Sequence, residues 1–301
     1  MLERIFAPVT AFAIRDFLRA LLSRRTLTLS LVLGIIFIGT GVALAQVFLG
    51  IPPPADPPPE GIPNPLEVWH NGGDGILIAI GYGLIPLILP ALAVSIANAS
   101  MAKDSAGRVS EVALSKPVPP WGPALGKFIG LIGATAILTV ALSLGIAVAI
   151  QGTLGTSLNS NLVTTFVGAN VLLAALYIAL TLVLATLFSP RAVTILMVLI
   201  WLGFNVLRQA AFSLSLRLAT LVGADEALTF TATVSDLGSF TGLYQGLLAF
   251  AVPAGLGFIV PPDPSMTLEQ FATVAVPWAS LAWLGVLILL FTWLRLRVPN
   301  Q

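Results

Sequence analysis

Apolar runs of about twenty residues recur along the chain, near 27–49, 76–98, 128–150, 162–188, 192–212 and 271–294. A helix needs about 20 such residues to cross the hydrocarbon core of a bilayer. No Asp, Glu or Lys interrupts these runs, and their single Arg is Arg208, near one end. The pattern predicts an all-α integral membrane protein with six transmembrane helices. A seventh stretch, Leu237 to Val260, carries Gly238, Gly242, Gly246, Pro253, Gly255 and Gly257, which weaken a regular helix. It reads as a broken, partly re-entrant or interfacial element in the outer leaflet before the last span. Glycine at every fourth position from 238 to 246 leaves a helix face without side chains, suited to close packing on another backbone.

Before the first run, Ile5, Phe6, Val9, Phe12, Ala13, Phe17, Ala20 and Leu21 recur at helical spacing, opposite Arg15, Arg19 and Ser23. Residues 1–25 therefore read as an amphipathic helix in the membrane interface, its arginines towards anionic lipid headgroups. A cleaved signal peptide is not expected, because no small-residue cleavage site follows a short apolar core. Orientation follows from the Lys and Arg positions. Arg4, Arg15, Arg19, Arg24, Arg25, Lys103, Arg108, Lys116, Lys127, Arg191, Arg295 and Arg297 fall on one side of a six-span arrangement, and Arg208 and Arg217 on the other. Both termini and the 100–127 loop are accordingly expected in the cytoplasm, and 51–75 and 213–270 outside it. The whole of 1–301 reads as a single transmembrane domain.

Composition excludes several kinds of chemistry. Only 9% of the 301 residues are charged and 57% are apolar, against about 25% charged in a soluble domain. A net charge of +1 offers no basic mass for nucleic acid. With no cysteine and His70 as the single histidine, thiolate catalysis, Cys-ligated metals and His-pair zinc motifs are absent. No catalytic residue, bound cofactor or metal site is expected. Gly122-Pro-Ala-Leu-Gly126-Lys127 falls one residue short of a phosphate-binding loop and has Phe128 where Ser or Thr is required. ATP is not bound by this chain.

Two loops stand out. The first outer loop, Ile51 to Gly75, carries eight prolines with Asp56, Glu60, Glu67 and Asp74, which makes it stiff, extended and acidic. It is a candidate contact for an extracytoplasmic partner. The cytoplasmic loop reads SMAKDSAGRVSEVALSKPVPPWGPALGK from Ser100 to Lys127. Asp104 or Ser105 can cap a helix, Val109, Val112, Ala113 and Lys116 follow at helical spacing, and Pro117, Pro119 and Pro120 end it. A short amphipathic helix between two spans suits docking into a groove of another protein.

At this loop the sequence resembles the type-2 permease subunits of ABC transporters, a family of export permeases that includes those related to nitrous-oxide-reductase maturation. The resemblance rests on Asp104, Gly107, Glu111, Leu114-Ser115-Lys116-Pro117-Val118 and Gly126-Lys127, together with the hydropathy profile of nearly the whole chain. Asp104 stands where Glu is more usual in the family, and Lys116 where a small or polar residue is. The resemblance implies a coupling helix with Asp104, Gly107, Arg108, Val109, Glu111, Val112, Ala113, Leu114, Ser115, Lys116 and Pro117 as its ATPase-contacting residues. It also implies separate ABC ATPase subunits holding ATP and magnesium, a second permease copy or related permease, and a prokaryotic cell membrane. The alternatives are a secondary transporter or a non-transporting structural subunit. An ion-coupled transporter usually keeps a titratable group at mid-membrane depth, and these spans offer only neutral polar groups such as Tyr82, Asn98, Asn170, Tyr177 and Asn205, expected to bond neighbouring helices. A membrane-embedded enzyme would need a nucleophile–base pair or metal cluster, and the chain offers neither.

Overall fold

The computed structural model describes residues 2–50, 72–106, 121–207, 238–249 and 269–297. Every regular element among them is helical: α1 (Leu2–Leu21), α2 (Arg24–Leu49), α3 (Gly72–Gly83), α4 (Ile85–Ala106), α5 (Gly122–Leu154), α6 (Ser160–Ala185), α7 (Pro190–Leu202), α8 (Phe240–Ala249) and α9 (Glu269–Arg297). A π-helical turn, Gly203–Leu207, extends α7. By length and composition α2, α5, α6 and the Val276–Arg297 part of α9 can each cross a membrane, and the bent pair α3–α4 makes a fifth. The chain is a multi-pass helical membrane protein.

The end of each helix follows from local chemistry. Ser23 separates α1 from α2, its hydroxyl oxygen accepting the Thr26 N–H at 3.1 Å, so Arg24 and Arg25 open the first span instead of closing the amphipathic segment. Gly155 stops α5 in the left-handed region, φ 70°, with its N–H on the Gln151 carbonyl at 2.8 Å. That conformation is costly for any residue with a Cβ. Asn159 then caps α6, its side-chain oxygen accepting the N–H groups of Asn161 and Leu162.

Helix α6 is the centre of the bundle, flanked by α4, α5, α8 and α9. Leu162, Phe166, Leu173, Leu176, Ile178 and Leu182 are all buried along it. Helices α2 and α9 turn Leu31, Ile35, Val47, Trp278, Leu289 and Trp293 outwards. Such surfaces suit a lipid environment, where apolar exposure carries no cost.

Helix α1 packs on a neighbouring helix, a contact that the interfacial reading does not include. It lies against α5, with backbones in contact. A Cβ at Gly126 would stand 2.6 Å from the Val9 carbonyl oxygen and 2.7 Å from the Phe12 Cβ, and one at Gly130 would collide with the Ala13 carbonyl oxygen. Val9 and Ala20 are buried there, together with the carboxylate of Asp16. Arg15 therefore does not point away with Arg19. Its guanidinium donates twice to Asp16, at 2.9 and 3.1 Å, because a buried carboxylate needs a counter-charge. Ile14, Leu18 and Leu22 form the exposed apolar edge of α1 and of the turn that follows it.

The span expected at 76–98 is not one straight helix. It breaks at Leu84, where α3 and α4 meet at 55°. Its start also reaches back into the stretch read as outer loop: Gly72 to Gly75 belong to α3. Asp74 is buried there, its carboxylate accepting the Asn159 N–H at 2.9 Å. Residues 51–71, with the remaining acidic and proline positions, lie outside the described residues, as does the 208–212 end of the fifth expected span.

Candidate functional site

The predicted coupling residues divide at the edge of what is described. Asp104 lies in the last turn of α4, and Gly107, Arg108, Val109, Glu111, Val112, Ala113, Leu114, Ser115, Lys116 and Pro117 lie outside the described residues. The base of that loop is held together by side chains. Lys127 is buried and its ammonium donates to the Ser100 carbonyl at 3.3 Å, joining the start of α5 to the end of α4. Arg295, in the last turn of α9, reaches the Met101 sulfur at 3.3 Å. Asn98 donates to the Pro190 carbonyl at 2.9 Å and to Thr194 Oγ1 at 3.0 Å, adding the start of α7. The loop, α1 and the end of α9 thus share one end of the bundle, the end that carries Arg15, Arg19, Arg191 and Arg297. Gly126 and Lys127 have separate structural tasks here: one admits the α1 backbone, the other ties α4 to α5.

A second region gathers the irregular backbone. Pro86 and Pro90 sit one turn apart on α4, and each lacks the N–H that an α-helix would direct to the residue four earlier. The orphaned acceptors are the carbonyls of Tyr82 and Pro86. Both are taken by side chains from other elements. Gln245 of α8 donates to the Tyr82 carbonyl at 3.3 Å, while the Tyr82 hydroxyl donates to the Gln245 carbonyl at 2.9 Å. The Trp201 indole of α7 donates to the Pro86 carbonyl at 2.9 Å. Where α7 widens into its π turn, the Asn205 amide donates to the Trp201 carbonyl at 2.8 Å, and Thr241 of α8 donates to Asn205 Oδ1 at 3.3 Å. A bent helix pair, a π turn and the start of a short helix are joined by one chain of bonds.

Aromatic packing closes this region. Phe240 meets Tyr177 edge-on at 5.4 Å, Phe204 at 5.1 Å and Trp283 at 6.0 Å between ring centroids. Ser239 caps α8, its hydroxyl oxygen accepting the Gly242 N–H at 3.0 Å. Ten residues of α8 rise about 15 Å, half the hydrocarbon thickness. Of the glycines read as a packing face, Gly238 is exposed in the turn before α8, Gly242 is buried in its first turn, and Gly246 lies against Val276 of α9, whose Cγ2 would be 3.2 Å from an added Cβ. Residues 250–260 lie outside the described residues.

Among the neutral polar groups singled out in the spans, Tyr82, Asn98, Asn170 and Asn205 bond other helices. The Tyr177 hydroxyl is buried beside Thr241 of α8. The proline pair, Trp201 and Gln245 escaped the sequence reading. The signal was present as two prolines four apart inside an apolar run, but the donors come from residues more than a hundred positions away. Among the described residues no cluster of three or more His, Asp or Glu side chains gathers to hold a metal. No family profile matches this sequence, and comparison with curated proteins gives no match.

Proposed function

We propose that the chain is the six-span permease subunit of an ATP-driven ABC transporter, an exporter, coupled to separate ATPase subunits through the loop 100–127. The observation that carries this reading is the setting of that loop. Its two ends leave α4 and α5 where Lys127 bonds Ser100 and Arg295 reaches Met101, and α1 packs on α5 at the neighbouring Gly126. A docking element there is fastened to three helices, so a push on it is delivered to the bundle. In this reading α7 and its π turn belong to the fifth crossing. With its short α8, the element before the last span enters only the outer leaflet. Two such chains, or one with a related permease, form the pathway between them.

Val109, Val112 and Ala113 are the apolar anchors of the docking helix in this reading, and Asp104, Arg108 and Glu111 its rim. Buried anchors carry most docking energy, about 1–3 kcal/mol for a truncation, whereas exposed rim charges are screened and worth about 0–1 kcal/mol. Val112→Asp should therefore abolish co-purification of the ATPase and stimulated ATP turnover, and Arg108→Ala should weaken them only slightly. Normal co-purification and turnover with Val112→Asp would remove the basis of the proposal.

A further inference from the structure

Threonines within these helices have a habitual bond. Thr40, Thr153, Thr164, Thr181 and Thr292 each donate to the carbonyl one turn back, at 2.6–2.8 Å. Thr135 and Thr139 of α5 do not. Each is 1% exposed, and neither hydroxyl has a partner among the described residues. One turn further along the same stripe is Ser143, whose Oγ accepts the Asn170 amide of α6 at 2.8 Å. Asn170 is fully buried, and its Oδ1 is likewise unpartnered. Turning that amide over would exchange its two ends and leave the other one unpaired, so the deficit belongs to the place and not to the assignment. By helical arithmetic Thr135, Thr139 and Ser143 lie about 180°, 140° and 100° around α5 from Gly126, which faces α1. Two polar atoms without partners thus lie on one buried stripe of α5, and the third, on α6, belongs to the residue that meets the same stripe at Ser143 across the α5–α6 seam.

Buried polar atoms are satisfied in nearly all proteins, by protein or by ordered water. Hydroxyls one helical turn apart, with Cβ atoms about 6 Å from each other, stand at a spacing that one water can bridge, and a buried water needs 2–4 such partners. A metal cation would find oxygen ligands but no charge to balance it. The seam has no Asp or Glu, and the carbonyls of α5 and α6 around it are committed to regular helix. We propose that the α5–α6 seam is a buried water site, in which ordered water joins Thr135 and Thr139 to one another and to Asn170. The site gives the bundle a neutral, exchangeable polar contact in place of a fixed side-chain bond.

The isosteric change Thr139→Val tests this on the full chain in detergent. A hydroxyl bonded to water is lost with it, and the unfolding midpoint falls by roughly 2–4 °C. Thr135→Val does the same, and the double variant falls by less than the two together, because both hydroxyls serve the same water. A neutral or raised midpoint for Thr139→Val overturns the proposal. X-ray radiolysis of the unmodified protein in ¹⁸O water supplies a measurement that needs no variant: side chains of 135–143 and Asn170 should be oxidised in the folded state, and their protection would overturn the site. A midpoint that rises with sodium chloride but not with choline chloride would identify a cation there and likewise overturn it.

Discussion

Replacing Gly130 with Ala tests whether the α1–α5 contact is a rigid part of the bundle. The added methyl would be driven into the Ala13 carbonyl oxygen and would stand 3.0 Å from the Phe17 backbone nitrogen. Both obstacles are backbone, so no side chain can swing aside, and α1 must retreat by about 1 Å to reach ordinary contact distance. A gap of that size forfeits up to about half of each contact's attraction along the Val9, Phe12, Phe17 and Ala20 face. Overpacking of this kind costs about 1–3 kcal/mol. Gly168→Ala is the matched control: it sits within α6 with nothing inside 4 Å of the new methyl, and should be neutral or stabilising by about 0.5–1 kcal/mol through helix propensity alone. Thermal unfolding in detergent separates the two. A single cysteine at the buried Ala20 of this cysteine-free chain reports the retreat directly, through faster maleimide labelling in the Gly130→Ala background. Equal midpoints for Gly130→Ala and Gly168→Ala, with unchanged labelling at position 20, would refute the close-contact reading.

Two further outcomes follow from the arrangement of the chain. Cysteines at Glu60, Ser110 and Asn300 should give external labelling by an impermeant reagent at position 60 alone in intact cells; labelling at 110 or 300 would contradict the proposed orientation. Trp201→Phe should destabilise by about 1–3 kcal/mol by leaving the buried Pro86 carbonyl unpaired, and should cost much less in a Pro90→Ala background, where the restored N–H serves the same carbonyl. Additive effects of the two changes would show that the indole bond is not what matters.

The long helices were legible because a span is a composition problem: about twenty uncharged apolar residues can do little else in a bilayer. Helices α2, α5 and α6 lie over the expected stretches with ends set by Ser23, Gly155 and Asn159, whose capping chemistry is local. The break in α3–α4 was hidden because hydropathy counts Pro86 and Pro90 as minor interruptions and does not register the carbonyls they strand. Helix α1 shows the opposite limit. Its amphipathic period is plain in the sequence, but the same period suits a lipid interface and a neighbouring helix equally. The neighbour was not foreseen, because Gly126-x-x-x-Gly130 on α5 is a small-residue pair that reads as a close-contact surface only once a partner is opposite it. Asp16 carries the same lesson, since a carboxylate buried beside Arg15 looks like solvated charge in one dimension.

The spacing of the two prolines decides how the break is held. Four residues apart, they strand carbonyls on one side of the α3–α4 element, yet their donors come from different directions, Gln245 from α8 and Trp201 from α7. Straightening the 55° bend would not restore either bond internally, because proline has no N–H to offer. The bent form is therefore the one in which both carbonyls are satisfied, and α7 and α8 are its structural supports. From Pro86, α4 continues for about 30 Å to Ala106, at the edge of the loop proposed to meet the ATPase. Near that end it is tied by Asn98 to α7 a second time and through Ser100 to Lys127. Helix α4 is thus fastened at both ends to the same neighbour, with one end at the irregular region and the other at the loop. A helix so held can transmit displacement as a rod, and Trp201 and, through the adjoining α3, Gln245 are the contacts by which displacement at the proposed docking loop would reach the π turn and α8.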